Sequence, residues 1–203
     1  MTKRILLAGV LGGLALFLWG SVSHLVLGLG RVGIRELPQE DAVLNPLRAS
    51  ITQPGFYFFP GMNLRPGATP AEKQVAEKAY EQRYKTGPYG ILIFHPQGTV
   101  PLSPRQLLVE FGLNVGQALL AAWLLSLVGI TRFGPRVGFV VCLGVLAAVT
   151  TNIEYWNWYG FPGNYTAAYI LDKVVGFLVV GLVVASVVRV KAARPVLVAS
   201  RAA

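Results

Sequence analysis

Four long apolar stretches constrain the fold of this chain more than any other feature of its sequence. A helix needs about 20 mostly apolar residues to cross the roughly 30 Å hydrocarbon core of a bilayer. The four stretches run from Ile5 to Gly28, from Gln106 to Ile130, from Val137 to Ile153 and from Thr166 to Val188. We therefore predict four transmembrane helices, of which the third is the shortest.

The composition agrees with this prediction. Charged residues make up 13% of the 203 residues, about half the share found in an ordinary soluble domain. This excludes a typical cytosolic globule and a disordered chain. The chain has one cysteine, so an intrachain disulfide, a CxxC redox pair and a cysteine-only zinc site are also excluded.

The positions of the basic residues predict how the helices are oriented. Cytoplasmic segments of membrane proteins carry an excess of lysine and arginine. If the N-terminus is cytoplasmic, that side receives no acidic residue and eight basic ones: Lys3, Arg4, Arg132, Arg136, Arg189, Lys191, Arg194 and Arg201. Both termini are then cytoplasmic. The net charge of +9 follows from this topology, and we expect no nucleic-acid partner because no aromatic and basic groove motif accompanies it.

The first apolar stretch has two interpretations. Lys3 and Arg4, followed by an apolar run and the small residues Ser21 to Ser23, resemble a cleavable signal peptide. The apolar run continues through Leu29, however, which favours an uncleaved membrane anchor.

The segment from residue 30 to residue 105 is predicted to be a small α+β domain outside the cytoplasm, because it holds most of the charge and many prolines. Glu40 to Ile51 predicts a short helix that Pro46 limits or kinks. Thr69 to Glu72 predicts the capped start of a second helix. Two β-prone segments are expected to pair: Phe56 to Phe59, and Ile91 to Phe94.

These elements define three predicted regions. Residues 1–29 form transmembrane helix 1, residues 30–105 form the extracytoplasmic domain, and residues 106–203 form transmembrane helices 2 to 4 with a short cytoplasmic tail. The predicted fold class is a membrane all-α four-helix bundle with a small extracytoplasmic α+β insert between helices 1 and 2.

Polar side chains gather at the outer ends of the four predicted helices, whereas the inner halves are almost wholly apolar. In the second helix, Glu110, Asn114 and Gln117 share one face. Beside them, Gly112 and Gly116 form a GxxxG pair that permits close approach of another helix. The predicted cluster comprises His24, Glu110, Asn114, Gln117, Asn152, Glu154, Tyr169 and Asp172. It either lines a wet cavity that takes a ligand or merely caps helix ends at the headgroup level.

A loop rich in aromatic residues is predicted between the third and fourth helices, from Glu154 to Tyr165. Its six rings belong to Tyr155, Trp156, Trp158, Tyr159, Phe161 and Tyr165. Tyrosine and tryptophan prefer the membrane–water interface. The loop is therefore either an interfacial anchor or a platform for a lipid, a quinone-like ring or a partner protein.

The sequence contains no complete catalytic or metal-binding motif. It lacks GxSxG and it lacks His-x-x-x-His and Glu-x-x-His spacings, so we predict no metal and no cofactor. Cys142 lies in an apolar helix and is interpreted as a packing residue. The apolar inner halves offer no polar route across the inner leaflet, which disfavours transport by a monomer.

Several segments together resemble a known group of proteins. They are the first span ending in Phe17-Leu-Trp-Gly-Ser-Val-Ser-His24, the segment Leu37 to Leu44, the segment Pro54 to Pro60, Gly87-Pro88, and Tyr155-Trp-Asn-Trp-Tyr-Gly-Phe-Pro162. The chain is similar over nearly its whole length to uncharacterised bacterial inner-membrane proteins with four spans and a periplasmic insert. The resemblance implies a multi-pass location in the bacterial cytoplasmic membrane and no established activity. The layout is also similar to that of animal claudins, but their paired cysteines are absent.

We therefore expect an integral inner-membrane accessory or scaffold protein that acts through its external domain and aromatic loop. The expected partners are membrane lipids and either a partner membrane protein or a second copy of the chain. Enzymatic activity stays open, with a non-enzymatic role favoured. The alternative is an outer-leaflet ligand-handling protein or enzyme that takes a lipid, quinone or metal in the polar cluster.

Overall fold

The structure, a computed structural model, describes residues 2–188 and is mostly helical there. Its helices are α1 (Thr2–Ser21), α2 (Glu40–Ser50), α3 (Pro70–Thr86), α4 (Pro104–Leu127), α5 (Phe133–Tyr159) and α6 (Gly163–Val187), and its strands are β1 (Gly55–Phe59) and β2 (Gly90–Phe94). A π-helical turn, Val22–Val26, extends α1, and a short 3-10 helix, Leu29–Arg31, follows. The predicted cytoplasmic tail, with its four basic residues, lies outside the described residues.

Four of these helices are long and apolar enough to cross a membrane: α1 with its π-helical extension, α4, α5 and α6. Only 22–39% of the residues in their most apolar windows are buried within the protein. Most of their apolar side chains therefore face outward, where lipid is a more favourable surrounding than water. The predicted apolar helices are present, and they indicate a multi-pass membrane protein.

The third of these helices is longer than predicted. The expected span was Val137 to Ile153 with an aromatic loop from Glu154 onward, but α5 is helical through Tyr159. The loop prediction is therefore wrong for residues 154–159, and also for residues 163–165, which belong to α6. No glycine or proline lies in this segment before Gly160, whose φ of 69° is in the left-handed region that glycine adopts readily. The aromatic residues before Gly160 thus project from the end of a helix.

Two glycines on one face of α1 allow α4 to pack directly against it. An added Cβ at Gly13 would lie 2.5 Å from Val115 Cα, and one at Gly9 would overlap the Leu119 side chain. No side chain fits between the helices at these points. Because Gly9 precedes Gly13 while Leu119 follows Val115, α1 and α4 are antiparallel.

This contact uses a different glycine pair from the one predicted. A Cβ added at Gly112 or Gly116 of α4 would meet no neighbouring heavy atom of the described chain within 4 Å. No helix of the described chain uses that GxxxG pair, and its predicted role in close approach stays a prediction. Gly9 and Gly13 have the same spacing in α1 and make the contact instead, since spacing marks a face that permits close approach but not the face that is used.

α6 lies against both α1 and α5. An added Cβ at Gly176 would lie 2.8 Å from Leu16 of α1. On the other side of α6, an added Cβ at Gly181 would lie 3.2 Å from the Val137 carbonyl oxygen of α5. Glycines therefore also bring these helices close together, so that van der Waals contact can hold them.

The buried core of these helices is apolar over most of its length. It is formed by Ala8, Leu16, Ala118, Ala121, Ala122, Leu125, Val140, Phe177, Val180, Val184 and Val188. Among the described residues the buried polar or charged side chains are Ser23, Asn114, Thr166 and Arg136. Thr166 lies near the start of α6, whereas Arg136 donates a hydrogen bond to the Val188 carbonyl oxygen at its end. Apolar packing thus separates Thr166, near the start of α6, from Arg136, near its end.

Residues 35–101 and Trp158–Gly160 form a second compact unit. As predicted, β1 and β2 pair; the pairing is antiparallel, from Gly55 opposite Phe94 to Phe59 opposite Gly90. Neither α2 nor α3 contains a buried residue, and the buried apolar residues of this unit are Ala68 and Phe94. Its core is thin, as expected for a segment of this size.

A capping box begins α3, as the sequence predicted. The Thr69 side chain accepts a hydrogen bond from the Glu72 backbone N–H at 3.3 Å. In return, the Glu72 carboxylate accepts one from the Thr69 backbone N–H at 2.8 Å. An ion pair with Arg65 adds to the same carboxylate, so one side chain fixes where α3 starts.

Substitution of Gly13 should separate α1 from α4. In Gly13→Ala the new methyl group would press on the Val115 backbone, which cannot move aside as a flexible side chain can, at a cost of about 1–3 kcal/mol. The free energy of unfolding in mixed detergent micelles should fall accordingly. Gly116→Ala, the matched control, should not be destabilised. Equal stability of the two variants would contradict the helix contact.

Low pH should weaken the start of α3. Hydrogen bonds from the Thr69 backbone N–H and hydroxyl, and from Arg65, hold the pKa of the Glu72 carboxyl below its ordinary value. The resulting stabilisation is present above the unfolded-state pKa of about 4.3 and is lost as pH falls through the lower folded-state pKa. Amide protection factors at Glu72 and Lys73 should fall over that range. Glu72→Gln should abolish the pH dependence of these protection factors, whereas Glu81→Gln, the control, should retain it. Any other pattern would show that Glu72 is not the group that titrates.

Candidate functional site

A cavity of about 550 Å³ opens within the first compact unit, which comprises residues 2–34, 102–157 and 161–188 of the described chain. Its walls come from α1 with the π-helical turn, from the start of α4 and from the first half of α6. We call it the helix cavity. Its polar lining consists of Ser21, His24, Glu110, Asn114, Tyr169, Asp172 and Lys173.

The π-helical turn brings His24 to the helix cavity. Leu27 donates its backbone N–H to the Val22 carbonyl oxygen at 2.9 Å, a spacing that accommodates one more residue per turn than an α-helix. A side chain at Gly30 would overlap the His24 imidazole. The 3-10 helix therefore closes directly on that ring, and a larger residue at position 30 would displace it.

Asp172 is more enclosed than the other carboxylate of the helix cavity. Its side chain is 12% exposed, and its Oδ2 lies 3.8 Å from His24 Nε2, which is too long for a hydrogen bond. Its Oδ1 is buried and has no hydrogen-bond partner among the described residues. A buried carboxylate oxygen without a donor is costly, so this position favours a ligand that donates a hydrogen bond.

α1 is tied to α6 next to this carboxylate. The Trp19 Nε1–H donates a hydrogen bond to the Asp172 backbone carbonyl oxygen at 3.1 Å. An added Cβ at Gly176, one turn later on α6, would lie 3.2 Å from Trp19 Cδ1. The indole is therefore held on two sides, and it fixes the position of Asp172 relative to α1.

α4 contributes a buried amide and an exposed carboxylate. Asn114 is only 3% exposed, whereas Glu110, one turn earlier, is exposed. The helix begins at a capping box in which the Ser103 hydroxyl accepts the Gln106 backbone N–H at 3.3 Å. Glu110 thus lies in the second turn of α4.

The rest of the lining is apolar. It consists of Leu16, Phe17, Trp19, Gly20, Leu25, Leu102 and Leu107. Pockets that bind small molecules are mostly apolar, with a few placed polar groups that fix the orientation of the ligand. The helix cavity has this composition and suits an amphipathic molecule.

Three members of the predicted polar cluster do not line the helix cavity. Gln117 follows Asn114 on α4 by three residues and does not line the cavity. It lies between Val115 and Leu119, in the stretch of α4 that packs against α1. The Asn152 side chain donates a hydrogen bond to the Ala148 carbonyl oxygen of its own helix at 2.9 Å, and Glu154 is exposed. Both belong to α5, which lies against α6 rather than α1, so their position near a helix end does not bring them to the cavity.

Aromatic rings form a row that ends at His24. The ring centroids of Tyr155 and Phe161 are 5.3 Å apart, those of Phe161 and Tyr165 are 5.3 Å apart, and those of Tyr165 and Tyr169 are 4.3 Å apart. Tyr169 then meets the His24 imidazole edge to face at 6.2 Å. This aromatic row connects the end of α5 to the helix cavity.

The other aromatic residues of the predicted loop lie outside this row. Trp156 and Trp158 are 50% and 71% exposed. Tyr159 meets Phe56 of β1 with the ring centroids 6.3 Å apart. The six rings predicted as one platform are therefore divided among three environments.

Sequence reasoning missed Trp19 as a site residue. Trp19 and His24 are five residues apart, which on a regular α-helix places them about 140° apart. The π-helical turn changes this angle, and both side chains line the same cavity. The aromatic residue near the end of an apolar span was a signal for an interfacial position, but nothing in the sequence predicted the π turn.

Within the described part of the chain, no group of three or more His, Cys, Asp or Glu side chains could hold a metal ion. Comparison with protein-family models, with curated proteins and with solved structures finds no match to this chain.

Proposed function

We propose that this chain is a multi-pass protein of the bacterial cytoplasmic membrane that binds an amphipathic ligand in the helix cavity. In this proposal α1, α4, α5 and α6 form a four-helix bundle with both termini in the cytoplasm. Residues 30–105 form an insert on the outer side of the membrane, and the cavity lies in the outer leaflet. The protein handles a ligand of the outer leaflet rather than transporting a solute.

The convergence of polar groups on one cavity carries this proposal. His24, Asn114 and Asp172 come from three helical segments and line the same 550 Å³ space, a volume within the range of about 300–1,000 Å³ that is usual for ligand pockets. Polar residues that only cap helix ends would not need to share a cavity. The geometry therefore favours ligand binding over capping.

The apolar core supports ligand handling over transport. Leu125, Val140 and Val184 are wholly buried, and they belong to the packed region between the cavity and the Arg136 end. An ion or proton path needs polar groups or water along its whole length. In a monomer of this architecture the apolar core interrupts such a path.

A second candidate role is docking of a partner protein by the second compact unit, as an accessory or scaffold subunit. One face of its sheet is apolar and open: Phe56, Phe58 and Ile93 are 59%, 44% and 65% exposed. Alternation along paired strands places these side chains on the same face. Exposed apolar patches of this kind mark interaction surfaces.

Reporter fusions test the proposed orientation. The excess of basic residues predicts that Arg132, between α4 and α5, lies in the cytoplasm, and that Gly98 lies outside. Alkaline phosphatase, which is active only outside the cytoplasm, should be active when fused after Gly98 and inactive when fused after Arg132. A fluorescent protein that matures only in the cytoplasm should give the reverse pattern. Swapped results would place the cavity on the cytoplasmic side and refute the proposal.

Filling the helix cavity tests ligand binding. Gly20 lines the cavity, and a Cβ there would meet no heavy atom of the described chain within 4 Å. Gly20→Trp should therefore occupy the cavity without disturbing the helix contacts. We expect the amount of ligand that co-purifies in mild detergent, counted by mass spectrometry, to fall at least about tenfold, which corresponds to roughly 1.4 kcal/mol.

Gly112→Trp is the matched control, because Gly112 is equally unobstructed but does not line the cavity. It should retain as much ligand as the wild type. If Gly20→Trp also retains its ligand or partner in full, the cavity is not the binding site, and docking by the second compact unit becomes the better explanation.

A further inference from the structure

We infer that the helix cavity recognises a primary alkylammonium group, of the kind carried by an ethanolamine phospholipid, with Asp172 as its acceptor. This inference rests on the proposed ligand cavity and adds the charge and the hydrogen-bonding capacity of the ligand. It follows from the unsatisfied oxygen of Asp172, the charge balance of the lining and the aromatic walls.

Within the described chain, the Asp172 carboxylate lacks a hydrogen-bond donor. Its buried Oδ1 has no hydrogen-bond partner among the described residues, and its Oδ2 is 3.8 Å from the His24 imidazole. A primary ammonium carries three N–H donors on a compact charge, so from the cavity it can donate to the Asp172 carboxylate. A quaternary ammonium has no N–H and cannot.

The charge of the lining favours a cation. Two carboxylates, Glu110 and Asp172, line the helix cavity. Among the ion pairs of the described residues, the pair of His24 with Asp172 is the one that involves the cavity. Lys173 lines the cavity but does not approach either carboxylate within ion-pair distance, so it does not neutralise them locally. An incoming ammonium adds positive charge beside the two carboxylates.

Aromatic rings add a second attraction for a cation. Tyr169, Trp19 and Phe17 line the same cavity as Asp172. The face of an aromatic ring attracts an ammonium, most strongly where water is excluded. A neutral hydroxyl headgroup gains nothing from these rings, so they favour an amine over a glycerol.

The remaining lining fits the rest of such a phospholipid. Lys173 offers the positive charge that a phosphate next to the ammonium requires. Leu16, Leu25 and Leu107 give an apolar wall for the start of an acyl chain. An ammonium, a phosphate and a hydrocarbon chain in sequence match the three kinds of surface in the cavity.

The test compares headgroups on the full-length protein. The protein is reconstituted in nanodiscs with equal amounts of ethanolamine, choline and glycerol phospholipids that share the same acyl chains, then extracted in mild detergent, and the retained lipids are counted by native mass spectrometry. We expect the ethanolamine lipid to exceed each of the others by about tenfold, the value of one charge-assisted hydrogen bond.

Two substitutions test which carboxylate gives the preference for the ethanolamine lipid. Asp172→Asn should reduce the preference for the ethanolamine lipid to about one, because the carboxamide removes the negative charge, and Glu110→Gln should weaken it less. Asp41→Asn, the same chemical change at an exposed position of α2, should leave it unchanged. Helix content and elution volume are measured for every variant, and Glu110→Gln keeps the test valid if Asp172→Asn does not fold.

Each outcome bears on a different claim. Equal or stronger retention of the choline or glycerol lipid overturns the ammonium inference and leaves the cavity proposal standing. Absence of any lipid above the level of Gly20→Trp refutes both. Displacement of the lipid by millimolar ethanolamine supports the ammonium site and assigns it to a soluble amine, whereas resistance to ethanolamine assigns it to the lipid.

Discussion

The contact of α1 with α4 at Gly9 and Gly13 sets the geometry on which the rest of the first compact unit depends. Helices in lipid gain no hydrophobic driving force by associating, so they rely on close van der Waals contact and on hydrogen bonds. Glycine at these positions brings the two backbones together. Farther along α1 the residues that face the neighbouring helices are large, namely Leu16, Phe17 and Trp19. There the helices enclose the cavity.

The Asp172 carboxylate lines the cavity but lacks a hydrogen-bond donor among the described residues. Trp19 fixes the backbone of Asp172, the π-helical turn and Gly30 fix His24, and yet Oδ1 of Asp172 has no partner among the described residues. Groups that are held rigidly and left unsatisfied are expected at binding sites, because a ligand that pairs with them is stabilised without a cost for ordering the protein. This combination distinguishes the cavity from an ordinary set of helix caps.

Local signals were sufficient where residues that are neighbours in the sequence decide the structure. The pattern Thr69-Pro70-Ala71-Glu72 predicted the start of α3 because its hydrogen bonds join neighbours in the sequence. The β-prone runs around Phe58 and Leu92 predicted strands that do pair. The prediction of a loop was wrong for the aromatic segment before Gly160. The preference of Trp156 and Tyr159 for the membrane interface predicts their depth in a bilayer but not whether their backbone is helical.

The sequence by itself determined the number of apolar helices, the asymmetry of basic residues along the chain and the capped and β-prone elements of the second unit, because each depends on composition or on neighbours within a few residues. Only the tertiary structure decided which glycine pair makes a helix contact, which polar residues share a cavity, and that Gln117, Asn152 and Glu154 do not. Those outcomes depend on which face of each helix meets another. A pattern of 3.6 residues defines faces, but the choice of partner follows from the summed packing of whole helices.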